Sequence, residues 1–222
     1  MYTQDYDEVV PPVDYNLDTF PAGRTWAELV QPYIKNWPIM RCPSIDRDPF
    51  GIWTGSNPRI KWWYNWMRWP AYGYNYNYLN PSFVSNNCDP FPGLPIALAG
   101  IAQPAETVML TDVKIVGRDN LGYYLSHIVE SPAIYTVPDV CGYSNGGWGE
   151  GSYGDDPEFV SNPTYTGNFS PRHTGNGNVV WMDGHAKAMS PGRLAAGTNW
   201  RIGIKNSEVE VIDESQYLWD LK

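Results

Sequence analysis

An α+β fold, with one amphipathic helix packed on an antiparallel sheet and long loops between the elements, is predicted by three features of this sequence. Residues 26–36 carry Trp26, Leu29, Val30, Tyr33 and Ile34, with Trp37 following, at the i, i+3, i+4, i+7, i+8 spacing of a helix that buries one stripe. Val179, Val180, Trp181 and Met182 are strand formers that run into Asp183-Gly184, a favoured hairpin dipeptide, so a second strand is expected over residues 185–189. Further β-prone runs at 107–110, 122–129, 133–137 and 208–212 supply the rest of the sheet.

Taken in chain order, residues 1–8 read as a helical end: Tyr2 and Tyr6 share a face, but so short a segment does not hold a helix alone. The main helix has a capping-box signature at Thr25 and Glu28, and Pro38 should stop it, because proline lacks the amide hydrogen and restricts the residue before it. Residues 61–70 are the most unusual stretch, with Trp62, Trp63, Trp66 and Trp69 beside Lys61, Tyr64 and Arg68. Burial in the core, a subunit interface and a glycan-stacking platform all use rings in this way. Tyr72, Tyr74, Tyr76 and Tyr78 alternate as one face of an extended strand over the core. Residues 141–157 hold six glycines and form either a long ordered excursion or a surface flap.

If Asp183 and Gly184 are the two central turn residues, Met182 faces His185, Trp181 faces Ala186, Val180 faces Lys187 and Val179 faces Ala188. Alternation then groups Val179, Trp181, Ala186 and Ala188 on one apolar side that needs a cover. Val180, Met182, His185, Lys187 and Met189 make the mixed side. His173, Asp183 and His185 invite reading as a metal or acid/base cluster. Geometry opposes it, since the five extended residues 178–182 span about 16 Å and set His173 and Asp183 near opposite ends of the strand. The favoured reading is structural: Asp183 takes a positive φ in the turn, and His173 anchors the loop before Gly175-Asn176-Gly177.

With 222 residues the chain can bury a substantial core in a single domain, 1–222. A formal net charge of -9 disfavours nucleic acid and anionic lipid, both of which reward clustered Lys and Arg. Only 18% of residues are charged, against 15% aromatic, with 21 glycines and 20 prolines, so loops and ring packing should dominate. The sequence contains no H-E-x-x-H or G-x-x-x-x-G-K motif, and its three histidines are few for a metal hydrolase. The residues alone therefore favour a non-enzymatic role.

His173, then nine residues, then Asp183-Gly184 resembles the bacterial prepilin-type processing-associated H-X9-DG family, which is pseudopilin-like. Residues 1–8 with Pro11-Pro12, residues 32–36, Cys42-Pro43-Ser44, residues 72–76, residues 104–110 and Arg172-His173 with Asp183-Gly184-His185 follow in the order of that family's landmarks. Residues from about 119 to 169 match none of them. The resemblance implies a type IV pilin-like headpiece, exported across the inner membrane to the cell surface. It would be a structural subunit that assembles with copies of itself in a filament, and with other pilins or secretion components. The alternative is an exported glycan-binding domain using the tryptophans.

Such subunits carry an N-terminal prepilin signal and a long hydrophobic helix, and neither is present in this sequence, so the expectation is a soluble headpiece whose membrane contact runs only through a missing helix. The seat for that helix is expected on Val179, Trp181, Ala186 and Ala188. Exported chains usually pair their cysteines. The resemblance implies that Cys42 bonds a cysteine of the missing helix end and that Cys88 pairs with Cys141, while Cys42 with Cys88 is the competing pair. No cofactor is implied beyond calcium, which related pseudopilins hold near the C-terminal sheet; Asp155, Asp156 and Glu158 are the candidate ligands here.

Overall fold

The computed structural model describes residues 2–15, 24–45, 69–80, 95–119, 122–136, 144–152 and 164–222. The expected α+β class is observed, with few helices and a five-stranded sheet. Among the described residues no helix is long and apolar enough to cross a membrane.

The short helix α1 (Tyr2–Asp5) is pinned to α2 (Trp26–Ile34) by aromatic contacts. The rings of Tyr2 and Tyr6 stack at 4.4 Å, Tyr2 meets Tyr33 edge-on at 6.0 Å, and the Tyr33 hydroxyl donates to Asp5 Oδ2 at 2.7 Å. That bond to a carboxylate, with small further contributions, pushes the Tyr33 pKa up to about 12. Helix α2 begins after Thr25, yet the Thr25 side chain makes no capping bond, so the expected capping box is not formed. Lys35 ends the helix instead of Pro38: at φ 52 it turns left-handed and donates its N–H to the Gln31 carbonyl. Pro38 lies inside a following 3-10 turn, Trp37–Met40.

A two-residue pair, β1 (Asp14–Tyr15) with β2 (Arg24–Thr25), precedes α2, and strands β3 (Tyr72–Asn75), β4 (Val108–Asp112), β7 (Ile128–Val129), β10 (Gly177–Trp181) and β11 (Ala186–Met189) form the main sheet in the order β11-β10-β4-β3-β7. Every pairing is antiparallel except β3 with β7, which corrects the expectation of a wholly antiparallel sheet. The reason lies in the connection. After β4 the chain makes a separate hairpin, β5 (Ile115–Asp119) with β6 (Gly122–Leu125), and returns along β3 in the same sense. The single strand expected at 122–129 is thereby split into β6 and β7. Residues 208–212 form no strand; a 3-10 turn, Asn206–Glu208, and one bridge between Thr198 and Val211 replace it.

The tyrosine alternation is half right. Tyr72 and Tyr74 lie in β3, but residues Tyr76–Leu79 close into a helical turn, so Tyr76 and Tyr78 leave the strand. Gly73 is required in β3 because an added Cβ would stand 2.4 Å from Val113 Cγ1 and 2.5 Å from the Ile128 carbonyl oxygen. Buried asparagines then satisfy main-chain groups that the tight packing isolates. Asn75 Nδ2 donates to the carbonyls of Val108 and Trp219, and Asn80 Oδ1 accepts from Val13 N–H.

Each face of the sheet carries a core cluster. Tyr74, Leu110 and Ile128 share the face packed with Trp26, Ala27, Met40 and Cys42, while Val129 and Val179 on the other face pack with Trp148, Phe169 and Trp219. Trp148 centres the second cluster. Its ring stacks on Phe169 at 5.5 Å and meets Trp200 and Trp219 edge-on, and its Nε1–H donates to the Glu130 carbonyl. In the Gly-rich 141–157 stretch, β9 (Ser144–Gly146) pairs with β8 (Ile134–Thr136) and leads directly to buried Trp148, so this described part is ordered excursion. From the 119–169 region, Val129, Trp148 and Phe169 join this core.

The C-terminal hairpin differs from expectation by one residue of register. Val180 pairs with Ala186, Val179 with Lys187, Asn178 with Ala188 and Gly177 with Met189. Three residues, Met182, Asp183 and Gly184, form the loop, closed by Gly184 N–H to Trp181 O and Trp181 N–H to His185 O. Gly184 takes the positive φ (92°) and Asp183 does not. This is a β-turn followed by a left-handed residue, the usual three-residue hairpin loop. A slip of one exchanges the faces of β11. Val179, Trp181, Ala186 and Ala188 therefore do not share a side: Val179 and Trp181 are sealed in the second core, and exposed Ala186 and Ala188 lie on the opposite face with Asn178 and Val180.

Candidate functional site

Where β4 ends and the chain approaches β10, four chemically active side chains meet: Cys42, Asp112, Arg172 and His173. They arrive on three segments. Cys42 follows the 3-10 turn, Asp112 is the last residue of β4, and Arg172 and His173 precede β10. A reciprocal backbone pair between His173 and Asn176 closes the turn Thr174-Gly175, with Thr174 at φ 55 and Gly175 at φ 80. His173 thus anchors that loop as expected, and its ring does more than this.

Asp112 is fully buried, and both of its oxygens are engaged. Oδ1 accepts from Arg172 Nη2 at 2.7 Å, and Oδ2 accepts from the Asn178 N–H at 2.6 Å and stands 3.2 Å from His173 Nε2. Arg172 spreads its donors over three chain segments: Nη1 to the Val113 carbonyl, Nη2 also to the Ala71 carbonyl, and Nε to Cys42 Sγ at 3.2 Å. A planar, permanently charged fork is the side chain that can do this. Cys42 Sγ also lies 3.5 Å from His173 Nε2, and Ser44 Oγ lies 3.4 Å from His173 Nδ1. Tyr72, paired with Asp112 across β3 and β4, has its pKa raised chiefly by burial, then by its electrostatic interactions with Cys42 and Asp112, with Arg172 opposing.

The geometry restricts the chemistry. A Cys-His-Asp relay needs the thiol on one ring nitrogen and the carboxylate on the other; here Cys42 and Asp112 approach the same atom, Nε2. A Ser44-His173-Asp112 order uses both nitrogens, but 3.4 Å exceeds ordinary hydrogen-bond length, and the Arg172 guanidinium already neutralises Asp112. What remains is a convergence of thiol, carboxylate and imidazole whose ligand atoms all lie within 4.8 Å of one another, a set that could hold a metal ion.

At the other end of the hairpin, Asp183 Oδ1 accepts from the His185 N–H at 3.0 Å and contacts His185 Nδ1 at 2.6 Å, on the surface. These bonds, the backbone one first, hold the Asp183 carboxyl below its ordinary pKa. His173 and Asp183 are not brought together, which agrees with the length argument. The nine-residue spacing is made of three turn residues, 174–176, the five-residue strand β10 and Met182, the first residue of the hairpin loop.

Of the other expected positions, Trp69 is half-buried against the first core cluster, whereas Trp62, Trp63 and Trp66 lie outside the described residues. Cys88, Cys141, Asp155, Asp156 and Glu158 also lie outside them. Cys42 is buried and free, so the expected competing pair of Cys42 with Cys88 is not formed. Asp112 and Arg172 were not singled out as site residues from the sequence, and no local pattern marks them. The only signal available was the adjacency of Arg172 to His173. Comparison of the chain with protein-family models, with curated proteins and with solved structures gives no match.

Proposed function

We propose that this chain is the globular part of a structural subunit of a pilin-like filament, at the cell surface or in a secretion apparatus. The observation that supports this reading is the uneven cover of one sheet face. Around β3 that face is closed by α2, with the Trp26 ring stacked on Tyr74 at 6.3 Å. Over β10 and β11 the same face is open: Val180 is half-buried, and Asn178, Ala186 and Ala188 are exposed. Small side chains there leave room for a further element to pack beside the apolar core. In this reading the helix that anchors such a subunit lies against Val180, Ala186 and Ala188, not against the buried Val179 and Trp181. The partners are further copies and other pilins or secretion components, and export delivers the chain outside.

Immunogold electron microscopy of native cells tests this, with expected label along surface fibres or at a short membrane-attached pseudopilus. Ala188→Glu should leave the melting temperature of the globule unchanged and abolish that labelled assembly. Label confined to the cell interior, or assembly indifferent to Ala188→Glu, would remove the reading.

A further inference from the structure

We propose that Cys42 Sγ, Asp112 Oδ2 and His173 Nε2 form a zinc-binding site that ties the start of the C-terminal hairpin to the sheet and to the segment after the first helices. The argument begins with the aim of the three groups. Asp112 Oδ2 stands 3.2 Å and Cys42 Sγ 3.5 Å from one imidazole nitrogen. Around tetrahedral zinc, with bonds of about 2.0 Å to nitrogen and oxygen and 2.3 Å to sulfur, neighbouring ligand atoms stand roughly 3.3–3.6 Å apart. Both separations from the imidazole nitrogen match that spacing, and all three ligand atoms lie within 4.8 Å of one another.

Donor chemistry selects the ion. A thiolate and an imidazole suit zinc, whereas calcium and magnesium require oxygen ligands. Three protein ligands leave one tetrahedral position for water, and the His173 side chain, 30% exposed, gives access from solvent.

The surrounding bonds are those that orient metal ligands. Arg172 Nη2 holds Asp112 Oδ1 and so turns Oδ2 toward His173, while Arg172 Nε donates to Cys42 Sγ and fixes its position. Ser44 Oγ stands 3.4 Å from Nδ1, beyond ordinary hydrogen-bond length, so it is an outer neighbour of the ring and not a ligand. The alternative occupant of the same point is a proton shared between His173 and Asp112, and the two differ in what Cys42 does. A proton on Nε2 needs no sulfur; a zinc ion takes it as thiolate and releases a proton on binding.

Cobalt titration of the Cys88→Ser/Cys141→Ser chain tests the site, because Cys42 is then the sole thiol. One equivalent of Co2+ should bind with a thiolate-to-cobalt charge-transfer band, Zn2+ should displace it, and Zn2+ should raise the melting temperature. His173→Gln should weaken Zn2+ binding by more than the roughly 10–100-fold lost when an outer-shell partner is removed, and Ser44→Ala by no more than that range. If the serine background does not fold, the wild-type chain with and without His173→Gln gives the same contrast. Absence of the charge-transfer band, or equal Zn2+ affinity in wild type and His173→Gln, would overturn the site.

Discussion

Two histidine–aspartate pairs flank the same strand and differ in almost everything except residue type. His185 and Asp183 are the closer pair, 2.6 Å apart, with side chains 45% and 39% exposed; His173 and Asp112 are 3.2 Å apart, with Asp112 wholly buried. Distance alone would rank the first pair above the second. Burial reverses the order, because an exposed pair is screened by water and salt, whereas a buried carboxylate must be answered by fixed partners. The turn end is local trim; the other end holds distant segments together.

That contrast is broken most forcefully at Arg172. Arg172→Met removes the main counter-charge of buried Asp112 and should destabilise by about 3–5 kcal/mol in urea unfolding, as expected for a buried pair stripped of one partner. A loss below 1 kcal/mol would put both ends of the hairpin in the same class. The two ends also use glycine for different reasons. At Gly177 an added Cβ would lie 2.4 Å from Phe169 Cε2 and 2.7 Å from the Ser170 carbonyl oxygen, whereas at Gly184 space is open and only the φ of 92° resists. Gly177→Ala should cost about 1–3 kcal/mol through overpacking, and Gly184→Ala about 1–2 kcal/mol through backbone strain. Thermal unfolding of both variants checks the order. The smallest effect belongs to Asp183→Ala. Because its folded pKa is depressed, the Asp183 contribution is present above the unfolded value near 3.9 and lost as pH falls through the folded one. Wild type and variant should therefore differ slightly at neutral pH and converge in acid.

The same contrast explains what could be read from the residues. Helix α2 was legible because its apolar spacing is a local signal, and the hairpin was legible because strand formers flank Asp183-Gly184. Its register was not, since that dipeptide also fits a three-residue loop in which Gly184 alone takes positive φ while the Asp183 side chain accepts from the His185 N–H. One residue of slip then reversed the face assigned to Ala186 and Ala188. Cys42, Asp112 and Arg172 come from three separate segments, and the Trp148, Trp200 and Trp219 knot likewise gathers distant rings; such convergence exists only after folding. Cysteine counting pointed to disulfides, while the fold gives Cys42 a guanidinium and an imidazole as neighbours.

The central claim, that the histidine of the nine-residue spacing belongs to Asp112 and not to Asp183, is tested most directly by a double-mutant cycle. Unfolding free energies of His173→Ala, Asp112→Asn and the double variant should be non-additive by roughly 0.5–3 kcal/mol, whereas His173→Ala with Asp183→Ala should add within about 0.5 kcal/mol. Additivity in the first cycle together with coupling in the second would contradict it.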